Sequence, residues 1–141
     1  MKKTFSEIID EYHGQPFKAA GNGNGGFGCI DLCHHIITKG LGKEMPSGMD
    51  ELTIENYAEV LKGDLTLERE RLAEIIKKIG IEIDINRILP GDLLLIRTSK
   101  GGVLSAIYIG KGQAITSSAG IGVCVLDIDD NNWIETARRF D

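Results

Sequence analysis

The sequence predicts an α+β domain, helices first and an antiparallel sheet after them, and three observations carry that prediction. Up to Ile79 the apolar residues recur at helical spacing. From Pro90 onward they fall instead into short β-branched runs separated by glycines. Between these halves of the pattern in importance, though early in the chain, a glycine-rich loop, Gly21 to Gly28, runs directly into Cys29 and the most apolar helical stretch.

The 141 residues fit one domain, 1–141, long enough to bury a core without disulfides or metal. Apolar content of 42% and charged content of 26% are those of an ordinary globular chain. A net charge of -5 with no basic cluster argues against nucleic acid or an anionic membrane as partner. Ser6, Glu7, Asp10 and Glu11 interrupt what would be the apolar core of a signal peptide, so a cytoplasmic chain is expected. No apolar run approaches the roughly 20 residues that span a bilayer.

Phe5, Ile8, Ile9 and Tyr12 predict an amphipathic helix over 4–13, capped by Thr4 or Ser6 and ended by Gly14. Pro16 stops it and leads into the glycine loop. Ile30, Leu32, Cys33, Ile36 and Ile37 predict a buried helix from Cys29 to Thr38, ended by Gly40. A short helix is expected around Ile54 to Leu61. A clearer one is expected over Thr66 to Ile79, with Leu72, Ile75, Ile76 and Ile79 on one face and charges on the other. Strands follow at Asp92 to Arg97, Val103 to Ile109, Gln113 to Ser117 and Val123 to Ile128. Trp133 to Phe140 is expected to return as a fifth.

Cys29 at the first turn of a helix has the environment of a nucleophile, because unpaired N–H groups there favour a thiolate and can hold an oxyanion. A small buried residue at a helix start explains the same cysteine without chemistry. Gly21 to Gly26 matches G-x-G-x-x-G, but no strand precedes it, which argues against a dinucleotide site. Cys29, Cys33 and His34 do not converge on a helix as zinc ligands would, so neither cofactor nor metal is expected.

Several motifs together resemble the NlpC-type cell-wall peptidases, papain-like cysteine hydrolases of peptidoglycan stem peptides. Gly14-Gln15-Pro16-Phe17 resembles that family's Gly-x-Pro-Tyr, and Phe27 to Leu32 its Phe-Asp-Cys-Ser-Gly-Leu. Pro90 to Leu95 resembles its Pro-Gly-Asp-Leu strand, and Ile107 to Gly112 its Ile-Tyr-Ile-Gly-x-Gly hairpin. The helical stretch before Pro90 and the ending with Arg138-Arg139-Phe140 look most like the variety carried by phages, prophages and gene-transfer agents. The resemblance implies a papain-like fold with the Cys29 helix on a sheet of about five strands. It implies a peptidoglycan peptide or peptide-like ligand, phage-tail-type protein partners and a phage-type route to the cell wall.

The resemblance keeps the nucleophile and loses its helpers. It places Leu104 where the family has its catalytic histidine and Thr116 near the third, polar member. Phe17 replaces the tyrosine, Gly28 the aspartate before the nucleophile, and Asp31 the glycine two after it. Leucine can neither take the thiol proton nor return it to a leaving amine. His34 and His35 lie about 7.5 to 9 Å along the helix from Cys29 and point away from it. His13, at the end of the first helix, has no motif placing it near the loop. The implied function is an impaired hydrolase kept as a binding or structural module. The alternatives are an active hydrolase with a rearranged base and a small-molecule binder using the glycine-loop cleft.

Cys29, Cys33 and Cys124 are expected to be reduced, since an odd count with two members on one helix suits no disulfide framework. Thiol titration of the denatured chain without reductant should find three per molecule, and finding one would refute this.

Overall fold

The computed structural model describes residues 4–17, 25–26, 29–44, 76–98, 103–118, 121–128 and 132–140, with side chains described at all of these except 29–31, 98, 103, 118, 132 and 133. The predicted helix at 54–61, most of that at 66–79 and the bulk of the glycine loop lie outside these residues.

Helix α1, Phe5–Tyr12, begins at Thr4. Thr4 Oγ1 accepts from the Glu7 N–H at 3.1 Å while the Thr4 N–H donates to Glu7 Oε1 at 3.3 Å, a reciprocal cap that decides between the two candidate residues. Ile8 and Tyr12 are its buried residues. Helix α2, Cys29–His35, is shorter than predicted. The helix continues as a π turn over Ile36–Gly40, with the Leu41 N–H donating to the Ile36 carbonyl at 2.8 Å. Thr38 Oγ1 donates back to the His34 carbonyl at 2.8 Å. That back-bonding competes with the α ladder where α2 gives way.

Six strands form one antiparallel sheet in the order β1-β6-β2-β3-β4-β5, where β1 is Ile81–Ile83, β2 Leu93–Thr98, β3 Val103–Gly110, β4 Gln113–Ser118, β5 Gly122–Asp127 and β6 Asn132–Arg139. The expectation of about five strands from Asp92 onward is met by β2 to β6, and one further strand, β1, precedes them. The strand that it missed, β1, has three residues and half-exposed apolar side chains, too short for a period-2 signal. The last segment does not extend the far end of the meander. As β6 it inserts between β1 and β2.

Alternation along β2 gives the sheet two apolar faces. Leu93 and Leu95 join Ile107, Ile115 and Val123 in a core with Ile8, Tyr12, Leu32, Cys33, Ile36 and Ile37, so α1 and α2 cover this face. α2 lies against β3 and β4, as the sequence predicted for the Cys29 helix. Leu94 and Ile96 turn the other way and join Ala106, Ala114 and Ala137. Each fully buried leucine or isoleucine contributes about 1.5 to 3 kcal/mol, which is why a strand buried on both faces reads as the continuous run Leu93-Leu94-Leu95-Ile96.

Polar contacts set the strand order at the sheet's centre. Asp92, buried at the head of β2, holds Arg139 of β6 by two hydrogen bonds, Nε to Oδ1 at 2.8 Å and Nη2 to Oδ2 at 2.9 Å. Its Oδ2 also accepts from the Leu89 N–H at 2.8 Å. Glu135 is the extra residue of a β-bulge in β6, where Leu95 pairs with Thr136 and Ile96 with Ile134. Its carboxylate meets Arg97 Nε at 2.6 Å and Lys77 Nζ at 3.4 Å. The hydrogen bond from Arg97 is the main reason that its pKa lies below the usual value for glutamate.

The segment after α1 pairs with the outer edge of β5. The Gly14 N–H donates to the Val123 carbonyl at 3.0 Å, and the Val123 N–H to the Gln15 carbonyl at 2.8 Å. This approach requires a glycine at 122, whose φ is +89° and where a Cβ would fall within van der Waals distance of the Gln15 oxygen. Gly112, at φ +73°, has open space around the same position. Gly122→Ala should therefore lower stability by about 2 to 4 kcal/mol and Gly112→Ala by only about 1 to 2. Urea denaturation of both variants checks this, and equal costs would mean that the Gln15 contact is not tight.

Candidate active site

Cys29 is the first residue of α2, and the helix it opens rests on β3 and β4. The apolar residues of α2, Leu32 and Cys33, fix that placement because both are fully buried against the sheet. Of the other residues singled out from the sequence, Gly28 lies outside the described residues, as do the side chains of Cys29 and Asp31. Phe17 is half-buried in an isolated bridge just beyond the segment that pairs with β5.

Leu104 pairs with Ile96 across β2 and β3 and packs on the cluster of Leu94, Ile96 and Ala106. By strand alternation it belongs to the sheet face opposite Ile107, and Ile107 is on the face that carries α2. Thr116 is buried on β4 opposite Cys124 of β5. Its Oγ1 donates to the Ser105 carbonyl at 2.7 Å, so its one proton is committed to backbone. The β3–β4 register runs through Ile107↔Ile115 and Tyr108↔Ala114, and the Thr116 hydroxyl reaches across to β3 just beyond it.

Among the described residues, Ser105, Ser117 and Thr136 are the buried polar residues on the α2 face near this end of the sheet. Ser105 pairs with Leu95 and Ser117 with Val123, both members of the α2-facing core. Ser105 Oγ is buried with no hydrogen-bond partner among the described residues. Sequence reasoning passed over both residues. Their signal was parity, since each stands two positions from an apolar core residue, Ile107 or Ile115, on the same face.

The three histidines are separated. His13 is the exposed C-cap of α1, its N–H donating to the Ile9 carbonyl at 2.9 Å. His34 is half-buried along α2. His35 Nδ1 meets the Tyr12 hydroxyl at 2.6 Å, with the rings edge to face at a centroid distance of 5.4 Å. Burial, with Glu11 nearby, pushes the Tyr12 phenol up to about 12, so the phenol keeps its proton. Cys124 is a free thiol, and burial pushes it up, away from reactivity. Among the described residues no three of His, Cys, Asp and Glu gather as a metal site requires. No described helix is long and apolar enough to cross a membrane.

Known proteins share both the sequence and the fold. Over 140 residues the chain is 28% identical to the probable endopeptidase NlpC of Escherichia coli (strain K12), covering 96% of this chain and 75% of that protein. The NlpC/p60 domain of the peptidoglycan hydrolase SagA superposes with a TM-score of 0.61 at 19% identity, over 96% of each chain. A NlpC/P60 family protein from Bacillus cereus ATCC 10987 gives a TM-score of 0.58 at 21% identity, and NlpC1 from Trichomonas vaginalis 0.59 at 20%. The chain matches 41% and 42% of those two longer chains, with 99% and 96% of its own length covered. Residues 14–140 match the NlpC/P60 family, which takes in both the glycine loop with Cys29 and the whole sheet from β1 to β6. The chain belongs to the NlpC/P60 family.

Proposed function

We propose that this chain is a peptidoglycan-peptide recognition domain of the NlpC/P60 family in which hydrolysis is impaired, with Cys29 kept at the nucleophile position. The observation that carries this reading is Leu104, a leucine packed among Leu94, Ile96 and Ala106 where the family's base is expected. Thr116, near the expected third position, spends its proton on the Ser105 carbonyl and has no charge with which to hold an imidazolium. His35 is held by Tyr12. A stem-peptide ligand is favoured by the family relationship and by a clearly acidic chain that suits neither nucleic acid nor an anionic membrane.

In a competent cysteine hydrolase a base takes the thiol proton, the thiolate attacks the peptide carbonyl, and the same group protonates the departing amine. Cys29 stands at a helix start, which favours the thiolate. Loss of general acid-base assistance costs about 10² to 10⁴-fold, and an amine leaves poorly unless protonated. Binding needs none of this. Hydroxyls of β3 and β4 on the α2 face can still take part in holding a peptide. The phage-tail or prophage setting suggested by the helical stretch that the sequence predicts before Pro90 and by Arg138-Arg139-Phe140 belongs to the same proposal. There the domain would dock cell wall as part of a larger assembly.

A second reading, an active hydrolase with a displaced base, draws on His13. Its imidazole is exposed on the chain segment that pairs with Val123, and Val123 pairs in turn with Ser117.

Digestion of purified peptidoglycan followed by mass spectrometry separates the two. The native chain should release no more cleaved stem peptide than Cys29→Ala, while both should co-sediment with sacculi. Leu104→His alone should not restore cleavage, because alternation places residue 104 on the apolar face opposite α2. Cleavage by the native chain that Cys29→Ala abolishes would overturn the impaired reading, and a further loss in His13→Ala would identify the base.

A further inference from the structure

At the end of the sheet away from β5, β1 pairs with β6 on one side, and among the described residues nothing pairs with its other side. Open edges are ordinarily blunted by shortness, by charge or by a cover. β1 is short and carries Glu82, yet its surroundings are not those of a blunted edge. Four large apolar side chains are exposed among the described residues. Three of them, Ile81 at 57%, Ile85 at 44% and Leu89 at 56%, lie on β1 and the connection that leaves it. β1 and β2 both run antiparallel to β6, so this connection crosses β6. Ile83 and Ile88 pack on the cluster of Leu94, Ile96 and Ala137, which puts the crossing on the face opposite α2. Ile81 shares that face by alternation with Ile83. Ile81 and Ile85 therefore border the open edge there, with Leu89 farther along the crossing.

The other face of the same edge is acidic. Glu82 stands opposite Arg138, and Arg138 opposite Leu93, so both side chains belong to the face that carries α2. The Arg138 side chain is 10% exposed and that of Glu82 74%, and Arg138 Nη2 lies 3.9 Å from Glu82 Oε2. Glu82 thus stands at the limit of ion-pair distance from its inner neighbour, with its carboxylate turned to solvent.

We propose that the open edge of β1 docks an extended segment of a partner protein as a further strand, with a basic residue opposite Glu82 and apolar residues opposite Ile81 and Ile83. The incoming cation completes an alternating row of Arg138, Glu82 and the partner's charge, and opposite charges on directly opposed strand positions attract. Backbone hydrogen bonds give such an added strand its affinity, and the alternation of its side chains gives specificity. A second copy of this chain fits less well. Pairing all three residues of β1 about a two-fold axis sets Glu82 opposite Glu82, a like-charge pair. The edge is separated by β6 and β2 from β3 and β4, on which α2 rests, so docking there is independent of the chemistry at Cys29.

The test is fluorescence anisotropy of the full chain with a labelled synthetic peptide, Thr-Val-Arg-Val-Thr, and with its counterpart carrying glutamate in place of arginine. The arginine peptide should bind saturably below millimolar concentration and the glutamate peptide more weakly. Glu82→Gln should weaken binding of the arginine peptide about threefold and Glu82→Lys about tenfold, and Glu82→Lys should reverse the preference between the two peptides. Ile81→Asp should weaken both. Ile121→Asp, at an exposed isoleucine in the β4–β5 turn, should change neither. Amide chemical-shift changes on adding the arginine peptide should centre on Ile81 to Ile83, and each variant should keep a cooperative thermal transition. No saturable binding, a preference that Glu82→Lys leaves unchanged, or shifts centred elsewhere would overturn the proposal. Self-association of the native chain by light scattering that Ile81→Asp abolishes would overturn it in favour of a second copy.

Discussion

The carboxylate of Asp92 is the point on which the sheet depends. It stands at the head of β2, accepts the Leu89 N–H that closes the preceding turn, and grips Arg139 of β6 through two nitrogens. Its own carbonyl accepts from the Tyr108 N–H of β3 at 3.0 Å. One residue therefore fixes the turn, the chain's last strand and the central hairpin in a single register. A buried carboxylate without such partners would be strongly unfavourable, so the pairing also excludes other placements of β6. With β6 between β1 and β2, the short strand Ile81–Ile83 acquires a neighbour that sequence distance alone would not have chosen.

From that centre the two faces of the sheet take different tasks. One face collects α1, α2, Ile76 and Ile79 into the main core. The other is lined by Leu94, Ile96 and three alanines, with Leu104, Tyr108 and Ile134 packed over them. Leu104 is well suited to this second cluster, and that is a sufficient physical reason for a leucine there. In a hydrolase an imidazole at this position would have to be justified against the loss of that packing. The present chain avoids the conflict by giving the position to the core.

Among the described residues, the polar groups facing α2 at this end of the sheet are hydroxyls. Ser105 and Ser117 face α2, Thr116 is tied to a carbonyl, and His35 is held by a phenol that stays protonated. Such a surface can donate and accept hydrogen bonds over a wide pH range.

Much of this was legible in the sequence. Helical spacing gave α1, and the start of α2 at Cys29 followed from the glycine loop and the apolar residues after it. The glycine pairs placed four strands to within about a residue or two, because hairpin turns demand residues that accept positive φ. The order of motifs from Gly14 to Gly112 was enough to recognise the family. Other features are decided by contacts between distant segments and leave no local trace. The β1 strand exists because Arg139 and Ala137 pair with it, and its own three residues carry no period. The end of α2 is set where Thr38 bonds back and Ile36 fits the core. The face on which Leu104 lies was available by counting from Ile107, yet its meaning required knowing which face α2 covers. The Tyr12–His35 bond joins residues 23 apart whose types gave no hint of each other. Local chemistry determined the elements and the family, whereas register, strand order and the partners of the site residues were decided by tertiary packing, because each depends on which buried polar group meets which.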